Sequence, residues 1–351
     1  SWVWILGITA MLGLKFNFVN IILSTFIFGL GDDFAIFITD GYLNKFSRNK
    51  DVIKPYRQGI LLSATTTIIG TGVLIFAVHP ALNSIALISI IAMVAILIIS
   101  FTVQPFLLRK LILERKERGL PPITLFNIGA SLFSFGFFIG GCLALWPLQF
   151  VFRLIPFGQK KLKLLFHHLI RIFTWMLMKV MFNVRKRNYN TSDFDFSKPS
   201  VIIANHQSFI DIINLLSFHP KLVILTNDWV YNSVLFGSQI RYVNFLQGSA
   251  GVEENIAKLK PLIADGYSVI IFPEGTRSKD KKIGRFHKGA FYIAQELKLD
   301  ITPVLLHGFN DTMRKNDFIL LNGTLSTVVL PRISPDDPQF GEGYKQRSKN
   351  I

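Results

Sequence analysis

The sequence predicts an α-helical membrane region followed by an α/β domain whose mixed sheet is flanked by helices. The first third of the 351 residues holds long apolar stretches, and the last part alternates short apolar runs with helical segments. Half of the chain is hydrophobic and only 17% is charged, against about 25% in a typical soluble protein. This composition excludes a disordered chain, which needs low hydrophobicity. The single Cys142 excludes an internal disulfide framework and a zinc site built on several thiolates.

Three apolar stretches are long enough to cross a bilayer, which takes about 20 helical residues. They cover residues 18–38, 59–78 and 85–108, and residues 2–14 look like the cut end of a fourth span. Basic residues occupy the loop 42–57 and the segment 109–118, whereas the short loop around His79 holds no Lys or Arg. The positive-inside rule therefore puts both basic segments in the cytoplasm. Because the chain starts at Ser1 inside an apolar run, we expect it to be a piece of a longer protein.

Two carboxylates, Asp32 and Asp33, lie inside the first full span. Carboxylates at that depth are costly and mark a candidate functional site, unless the span ends early and both lie at its mouth. The run of residues 29–37 resembles the Gly-x-Gly-x-Asp-Tyr-Ala signature of RND-superfamily exporters, in their MMPL branch. The resemblance covers about residues 1–110 and implies export coupled to proton flow through an Asp–Tyr pair, with Asp32 and Asp33 as relay candidates. Asp33 matches the Asp of that pair, whereas Phe34 replaces the Tyr and removes its hydroxyl.

Most of the net charge of +16 lies in one strip, residues 109–187, which holds fourteen Lys or Arg and two acids. A basic excess favours either nucleic acid or an anionic membrane surface. The strip also holds long apolar runs and no nucleic-acid motif, so it predicts anionic membrane lipids as partners and no nucleic acid.

Residues 120–190 are predicted to form a membrane or interfacial anchor. Residues 127–150 are apolar but have basic residues on both sides, so a re-entrant hairpin and a second crossing by the next segment both remain open. Residues 162–184 have apolar side chains at helical spacing, which fits a helix lying in the interface. We interpret His167 and His168 as polar-face residues rather than metal ligands, because adjacent helical residues do not share a face.

From Asp193 onward the composition becomes that of a soluble α/β domain. Asn322-Gly323 between two apolar runs, 318–321 and 324–330, is a strong hairpin signal. The alternation of strands and helices favours a parallel or mixed sheet with helices on its faces. The predicted strands are 201–204, 222–225, 268–272 and 302–306, and the predicted helices are 253–263 and 288–297.

A histidine and an aspartate five residues apart, His206 and Asp211, follow the first of these strands. The carboxylate can hold the Nδ1–H of the imidazole, which leaves Nε2 as an acceptor for a substrate hydroxyl proton. The alternative is that His206 caps a turn and Asp211 caps a helix. The spacing alone does not decide between the two, because it is common.

The third predicted strand is followed by Phe-Pro-Glu-Gly-Thr-Arg-Ser, residues 272–278. A strand, a glycine turn and then Arg277 would seat a phosphate, since arginine offers a two-pronged donor. Arg285 follows, and Lys288 can open a helix whose N-terminus favours anions. The alternative is a solvated basic loop, given three further lysines nearby.

Together the two motifs resemble those of the phospholipid/glycerol acyltransferases, typified by lysophosphatidic acid acyltransferase. A Pro-Val strand at residues 301–304 matches a further block of that family, and the similarity covers about residues 190–335. It implies a glycerol-3-phosphate acyltransferase-like fold. The family's second block usually closes with an arginine, where this chain has Gln247-Gly248-Ser249, with Arg241 nearby in sequence.

The resemblance implies acyl transfer from acyl-CoA or acyl-ACP, as co-substrate, to a lysophospholipid hydroxyl, giving phosphatidic acid from 1-acyl-sn-glycerol 3-phosphate. His206 is then the catalytic general base and Asp211 its orienting partner, with no metal and no further cofactor. The substrate-binding residues are Glu274, Gly275, Thr276, Arg277 and Lys288. Two alternatives stay open: O-acylation of an amino-acid-containing lipid, and a lipid transporter with a non-catalytic soluble domain.

The expected organisation has four parts. Residues 1–119 are the C-terminal spans of an MMPL/RND-like transporter, 120–190 the anchor, 191–335 the acyltransferase domain and 336–351 a linker tail to a missing domain. We expect a multi-pass protein of the bacterial inner membrane, with the acyltransferase domain on the cytoplasmic side.

Overall fold

The computed structural model describes residues 2–11, 18–191, 195–278, 282–341 and 343–351. These residues form two compact units, Ser1–Thr124 and Leu125–Ile351. The residues predicted as a separate anchor therefore fall mostly in the same unit as the predicted acyltransferase domain. They pack there because apolar side chains of both anchor helices contact the core of that domain.

In its described residues, the first unit consists of helices and short connecting segments, without a strand. Its elements are α1 (Trp2–Met11), α2 (Phe18–Arg48), α3 (Ile53–Gly72, extended by a 3-10 turn Val73–Phe76), α4 (Pro80–Ile98), α5 (Gln104–Leu108) and α6 (Glu114–Glu117), with π-helical turns Ile99–Val103 and Arg109–Leu113 joining the last three. Two helical segments of this unit, Ile53–Phe76 and Pro80–Glu117, are long and apolar enough to cross a membrane. Part of the predicted segment 2–14 lies outside the described residues.

A small apolar core joins α2 to α4. Phe34 and Ile38 are buried against Ala92 and Ile96, and the Gln104 amide donates to the Ala35 carbonyl oxygen at 2.7 Å. Phe34 is thus a core residue in this unit. Asp32 and Asp33 lie on the exposed side of α2.

The second unit begins with two long helices and continues as an α/β fold. The helices are α7 (Leu125–Leu154), α8 (Gln159–Val180), α9 (Ile210–Leu216), α10 (Asp228–Tyr231), α11 (Gly237–Tyr242), α12 (Val252–Ala264), α13 (Gly289–Glu296), α14 (Phe309–Thr312) and α15 (Gly343–Asn350). The strands are β1 (Val184–Tyr189), β2 (Ser200–Ala204), β3 (Leu222–Thr226), β4 (Leu246–Gln247), β5 (Ser268–Ile271), β6 (Asp300–His307) and β7 (Gly323–Val329). Helix α7 is also long and apolar enough to span a membrane.

The strands form one seven-stranded mixed sheet in the order β1-β7-β6-β2-β5-β3-β4. All neighbours are parallel except β6 and β7. Every residue of β2 and β5 is buried, as expected for central strands covered on both faces. Because β2, β3 and β5 run in parallel, their carboxyl ends and the loops that follow them meet at one edge of the sheet.

The predicted hairpin around Asn322 is wrong. Strand β7 pairs antiparallel with β6 and parallel with β1, whereas residues 318–321 form no strand. The backbone of that segment bonds elsewhere: the Leu320 amide donates to Ser131 Oγ at 2.8 Å, and its carbonyl accepts from Asn127 Nδ2 at 3.3 Å. Side chains of α7 thus take the backbone groups that a hairpin would have paired.

Three further expectations differ from the structure. The sequence does not predict strand β1, because its residues, Val-Arg-Lys-Arg-Asn-Tyr, are mostly charged or polar, as is typical of the edge of a sheet. His167 is buried rather than on a polar face, since α8 turns that side toward the domain core, while His168 is exposed. Residues 343–350 of the expected linker tail form α15, which lies against α13 through a Tyr292–Tyr344 ring contact at 5.2 Å.

Candidate active site

The histidine of the first motif directly follows β2, at the edge where the parallel strands end. The preceding Asn205 fixes this point, because its side chain donates to the Leu306 carbonyl at 2.8 Å and accepts from the Leu306 amide at 2.7 Å. The two bonds tie the end of β2 to the neighbouring strand β6. His206 therefore leaves the sheet from a fixed backbone position.

Asp211 lies in the first turn of α9 and meets His206 as the spacing predicts. The distance from His206 Nδ1 to Asp211 Oδ2 is 2.9 Å. The same carboxylate oxygen accepts from the amides of Gln207 at 2.6 Å and Ser208 at 2.8 Å. Burial raises the pKa of Asp211, while the hydrogen bonds from His206 and the two amides act in the opposite direction. The carboxylate thus both holds the loop before α9, through the two backbone amides, and orients the imidazole.

The His206 ring faces a cleft. With Nδ1 engaged by Asp211, Nε2 is the ring nitrogen left for a ligand. The ring stacks on Phe272 with centroids 4.2 Å apart, and 13% of the side chain is exposed. An imidazole held this way can accept a proton from a bound hydroxyl through Nε2.

The second motif turns back onto the first. Glu274 is buried, and its Oε1 accepts from the His206 amide at 2.8 Å while Oε2 accepts from the Gly284 amide at 2.8 Å. The Ser278 amide donates to the His206 carbonyl at 2.8 Å. Gly275 has φ +68°, a backbone conformation that favours glycine. Glu274 therefore holds two loops together through backbone amides.

Arg277 lies with His206 on the wall of one cleft of about 180 Å³. Burial lowers the pKa of Arg277, and the negative charge of Asp211 partly offsets this, but an arginine remains charged at neutral pH. The cleft is lined by His206, Phe209, Ile212, Ile224, Leu225, Thr226, Asn227, Trp229, Val230, Gly248, Ile271, Phe272, Gly275 and Arg277. A guanidinium and an imidazole oriented by Asp211 thus share one concave surface.

The remaining predicted binding residues lie around this surface. Thr276 is exposed, and its hydroxyl accepts from Lys315 Nζ at 2.8 Å. Lys288 is exposed at the start of α13, outside the cleft lining. Arg241 is directed away, since its guanidinium donates to the Tyr231 carbonyl at 2.5 Å, and Gly248 takes part in the cleft wall.

An apolar pocket of about 80 Å³ adjoins the cleft. The two share four wall residues, Phe209, Ile212, Thr226 and Val230. The other walls come mainly from α7, α8 and the segment around α11: Phe138, Cys142, Leu145, Ile170, Phe173, Thr174, Ile213, Leu216, Phe236, Gln239, Ile240 and Phe245. No sequence motif indicated this pocket, because its walls come from elements far apart in the chain.

Lys315 was also missed. It lies in the loop between α14 and β7, in a polar stretch that carries no motif, and it contacts the Arg277 turn. In the residues that the structure describes, no group of three or more His, Cys, Asp or Glu side chains could hold a metal ion.

Comparison with known proteins identifies the domain that carries this site. Residues 181–307 match the family model described as Acyltransferase. The chain is 29% identical over 136 residues to a chloroplastic 1-acyl-sn-glycerol-3-phosphate acyltransferase of Arabidopsis thaliana, over 37% of this chain and 38% of that protein. It is 25% identical over 143 residues to the human 1-acyl-sn-glycerol-3-phosphate acyltransferase beta, over 39% of this chain and 51% of that protein. The chain thus spans about two fifths to half of the length of these relatives.

A solved structure has the same fold. The crystal structure of the 1-acyl-sn-glycerophosphate (LPA) acyltransferase PlsC from Thermotoga maritima aligns with a TM-score of 0.55 and 20% identity. The alignment covers 64% of this chain and 92% of that one. The second unit contains an acyltransferase domain, and the cleft with His206 and Arg277 lies in it.

Proposed function

We propose that this acyltransferase domain transfers an acyl chain from a thioester, acyl-CoA or acyl-ACP, to the hydroxyl of a lysophospholipid. The acceptor we favour is 1-acyl-sn-glycerol 3-phosphate, which would give phosphatidic acid. The observation that carries the proposal is the shared cleft wall of His206, with Nδ1 held by Asp211, and Arg277. The relatives named above support the same choice, because their names give 1-acyl-sn-glycerol 3-phosphate as the acceptor.

The proposed reaction begins when His206 Nε2 takes the proton of the acceptor hydroxyl. The hydroxyl oxygen attacks the thioester carbonyl carbon, the C–O bond forms and the C–S bond breaks. The proton then passes from His206 to the departing thiolate, so that the products are the ester and the free thiol. Asp211 stabilises the transient positive charge of the imidazole, and such general-base catalysis contributes about 10²–10⁴-fold.

Arg277 is proposed to bind the acceptor phosphate, because a guanidinium matches two phosphate oxygens at once. Glu274 and Gly275 shape the turn that presents it. Lys288, exposed at the start of α13, is proposed to add positive charge for the acceptor. The apolar pocket is proposed to take an acyl chain, since it adjoins the cleft, shares four wall residues with it and is lined mainly by apolar side chains. No metal or further cofactor enters this scheme.

A membrane setting is consistent with the exposed surface of the second unit. Large apolar side chains are exposed along α7, and Arg153 and Lys179 lie over aromatic rings, as is common where a helix meets a membrane surface. The exposed apolar residues include Leu132, Phe133, Ile139, Leu143, Trp146 and Phe150. We propose that this face contacts a membrane containing anionic lipids. A site at that level avoids moving acyl chains into water, at about 0.8 kcal/mol per CH₂.

The first unit is proposed to be part of a lipid exporter of the MMPL type, so that a lipid is acylated beside its transporter. Support comes from the signature around Asp33 and from two helical segments able to span a membrane. We further propose the bacterial inner membrane, with the acyltransferase domain on the cytoplasmic side, from the basic loops.

A second acceptor, an amino-acid-containing lipid, is favoured by one observation. Gly248 lines the cleft where relatives of this family usually carry an arginine, and beside it Asp228 accepts from Gln247 at 2.7 Å and Ser249 at 2.5 Å. A cleft wall with one cation fewer, next to the Asp228 carboxylate, suits an acceptor with an amine.

The test is lipid mass spectrometry after expressing the full chain in a bacterial strain whose own sn-2 acyltransferase is conditionally depleted. New phosphatidic acid that requires His206 supports the favoured acceptor. Acylated amino lipid without new phosphatidic acid would support the second acceptor and contradict the first. Neither product, from a chain that is expressed in the membrane, would exclude both.

A further inference from the structure

A cation from a distant loop supports the turn that carries Arg277. Lys315 lies between α14 and β7, and its ammonium donates to Thr276 Oγ1 at 2.8 Å and to the Arg277 carbonyl oxygen at 3.3 Å. The side chain is half-buried. It therefore bridges two consecutive residues of the turn from a position 38 residues further along the chain.

The contact leaves the guanidinium of Arg277 available. Lys315 binds the backbone carbonyl of Arg277, not its side chain, and the cleft wall includes Arg277 but not Lys315. The turn is otherwise tied by Glu274, which holds the His206 amide, and by the Ser278 amide on the His206 carbonyl. Those bonds attach the turn to His206, whereas Lys315 attaches it to the loop between α14 and β7.

The ammonium also adds charge. Both of its acceptors in the turn are neutral oxygens, so these bonds do not cancel its positive charge. A half-buried cation is screened less by salt than a solvated one. Lys315 thus strengthens the positive potential at the place where the acceptor phosphate is proposed to bind.

We propose that Lys315 is a positioning residue for the acceptor: it holds the backbone of Thr276 and Arg277 so that the guanidinium meets the phosphate. The inference rests on the proposed lysophospholipid acyltransferase function. It assigns Lys315 to acceptor binding and not to the proton transfer at His206. Removing it should therefore raise the acceptor KM and leave kcat nearly unchanged.

The experiment compares Lys315→Met, which keeps the alkyl chain but removes the charge and the donors, with Lys315→Arg. Initial rates are measured on the full chain in detergent micelles, with 1-acyl-sn-glycerol 3-phosphate varied at saturating acyl-CoA. Because a hydrogen bond from a charged group is worth about 1.5–3 kcal/mol, we expect the acceptor KM to rise at least about tenfold in Lys315→Met. The arginine variant should restore most of the parent KM. Lys260→Met, on the exposed side of α12, is the matched control and should keep the parent KM.

A second readout is independent of catalysis. Hydrogen exchange of the amides of residues 274–278 should become faster in Lys315→Met and remain at the parent rate in Lys260→Met. An unchanged KM together with unchanged exchange would overturn the inference, as would an equal loss of activity and melting temperature in Lys315→Met and Lys315→Arg. A parent chain that is inactive on this acceptor would instead refute the proposed function, while the exchange comparison would still decide whether Lys315 holds the turn.

Discussion

The polar cleft around His206 and the apolar pocket beside it share four wall residues, yet their remaining walls are held by different forces. In the cleft, directed hydrogen bonds fix the His206 imidazole, through Asp211, and the His206 backbone, through Glu274. In the pocket, ring packing sets the shape, as where Phe173 stacks between Phe137 and Phe138 with centroids 6.0 and 6.2 Å away.

Because different forces hold the cleft and the pocket, we expect the two regions to respond differently to substitution. A polar group in the cleft acts at one atom, so its removal should affect a single kinetic step strongly. A pocket side chain acts through the volume it occupies, so its removal should change which acyl chain fits while the chemistry continues.

The largest effect is expected at His206. His206→Ala removes the proposed base, and acyl transfer should fall by about 10²–10⁴-fold, because proton removal by a positioned base contributes about that much. The rate of thioester-to-lipid transfer and the melting temperature are measured together. His307→Ala, at the exposed end of β6, is the matched control. Activity within tenfold of the parent would remove His206 from the base role.

Arg277→Ala should mainly raise the acceptor KM. Loss of a charge-assisted contact worth about 1.5–3 kcal/mol corresponds to an increase of about 10–100-fold, with a much smaller change in kcat. Arg185→Ala, on the edge strand β1, should keep the parent kinetics. Unchanged acceptor kinetics in Arg277→Ala would mean that the phosphate binds elsewhere.

The polar region was more predictable from sequence than the apolar one, for a physical reason. Chemistry at the end of a buried strand needs particular side chains at short spacing, so His206, Asp211 and residues 272–278 could be found from their local pattern. The hydrogen bond from the His206 amide to Glu274, which joins the two motifs, could not be found in this way, because the two residues are 68 positions apart.

Elements set by tertiary contacts were missed or misassigned. Residues 318–321 have the pattern of a strand, but Asn127 and Ser131 of α7 bind their backbone instead. Strand β1 lies at the sheet edge, where charged side chains are tolerated, so its sequence lacks the apolar run of a central strand. The predicted strands in the sheet centre, in contrast, match β2, β3, β5 and β6 to within about two residues, since burial on both faces demands apolar runs.

The packing behind the pocket should respond to pH. Burial lowers the pKa of His167 to about 3, with a hydrogen bond to Val243 acting in the opposite direction, and its ring lies 6.3 Å from that of the pocket residue Phe245. The unfolded chain binds this proton near pH 6.5 and the folded chain only near pH 3, so stability from neutral His167 is present above pH 6.5 and is lost progressively as pH falls toward 3. At pH 5 the loss is about 2 kcal/mol.

This prediction is checked by the apparent melting temperature of the full chain in detergent at pH 7.5 and pH 5. His167→Gln keeps a donor for Val243 but does not titrate, so its melting temperature should fall less between the two pH values than that of the parent. His168→Gln changes the exposed neighbour and should keep the parent pH dependence. Equal pH dependence in the parent and His167→Gln would show that other groups control stability in this range.

The smallest expected effect concerns the depth of the apolar pocket. A Cβ on Gly141 would collide with the ring of Phe173, a pocket wall residue, whereas a Cβ on the neighbouring Gly140 would meet nothing within 4 Å. Gly141→Ala should therefore displace the ring and shorten the space for an acyl chain, and Gly140→Ala should not. Each methylene that no longer fits costs about 0.8 kcal/mol, so competition between thioesters of different length should shift toward shorter chains, by up to about fourfold per methylene. Since His206 and Arg277 are untouched, the rate with the best-fitting chain should stay close to that of the parent. A fall in rate that is equal for all chain lengths would contradict the division between a cleft that performs the chemistry and a pocket that selects the chain.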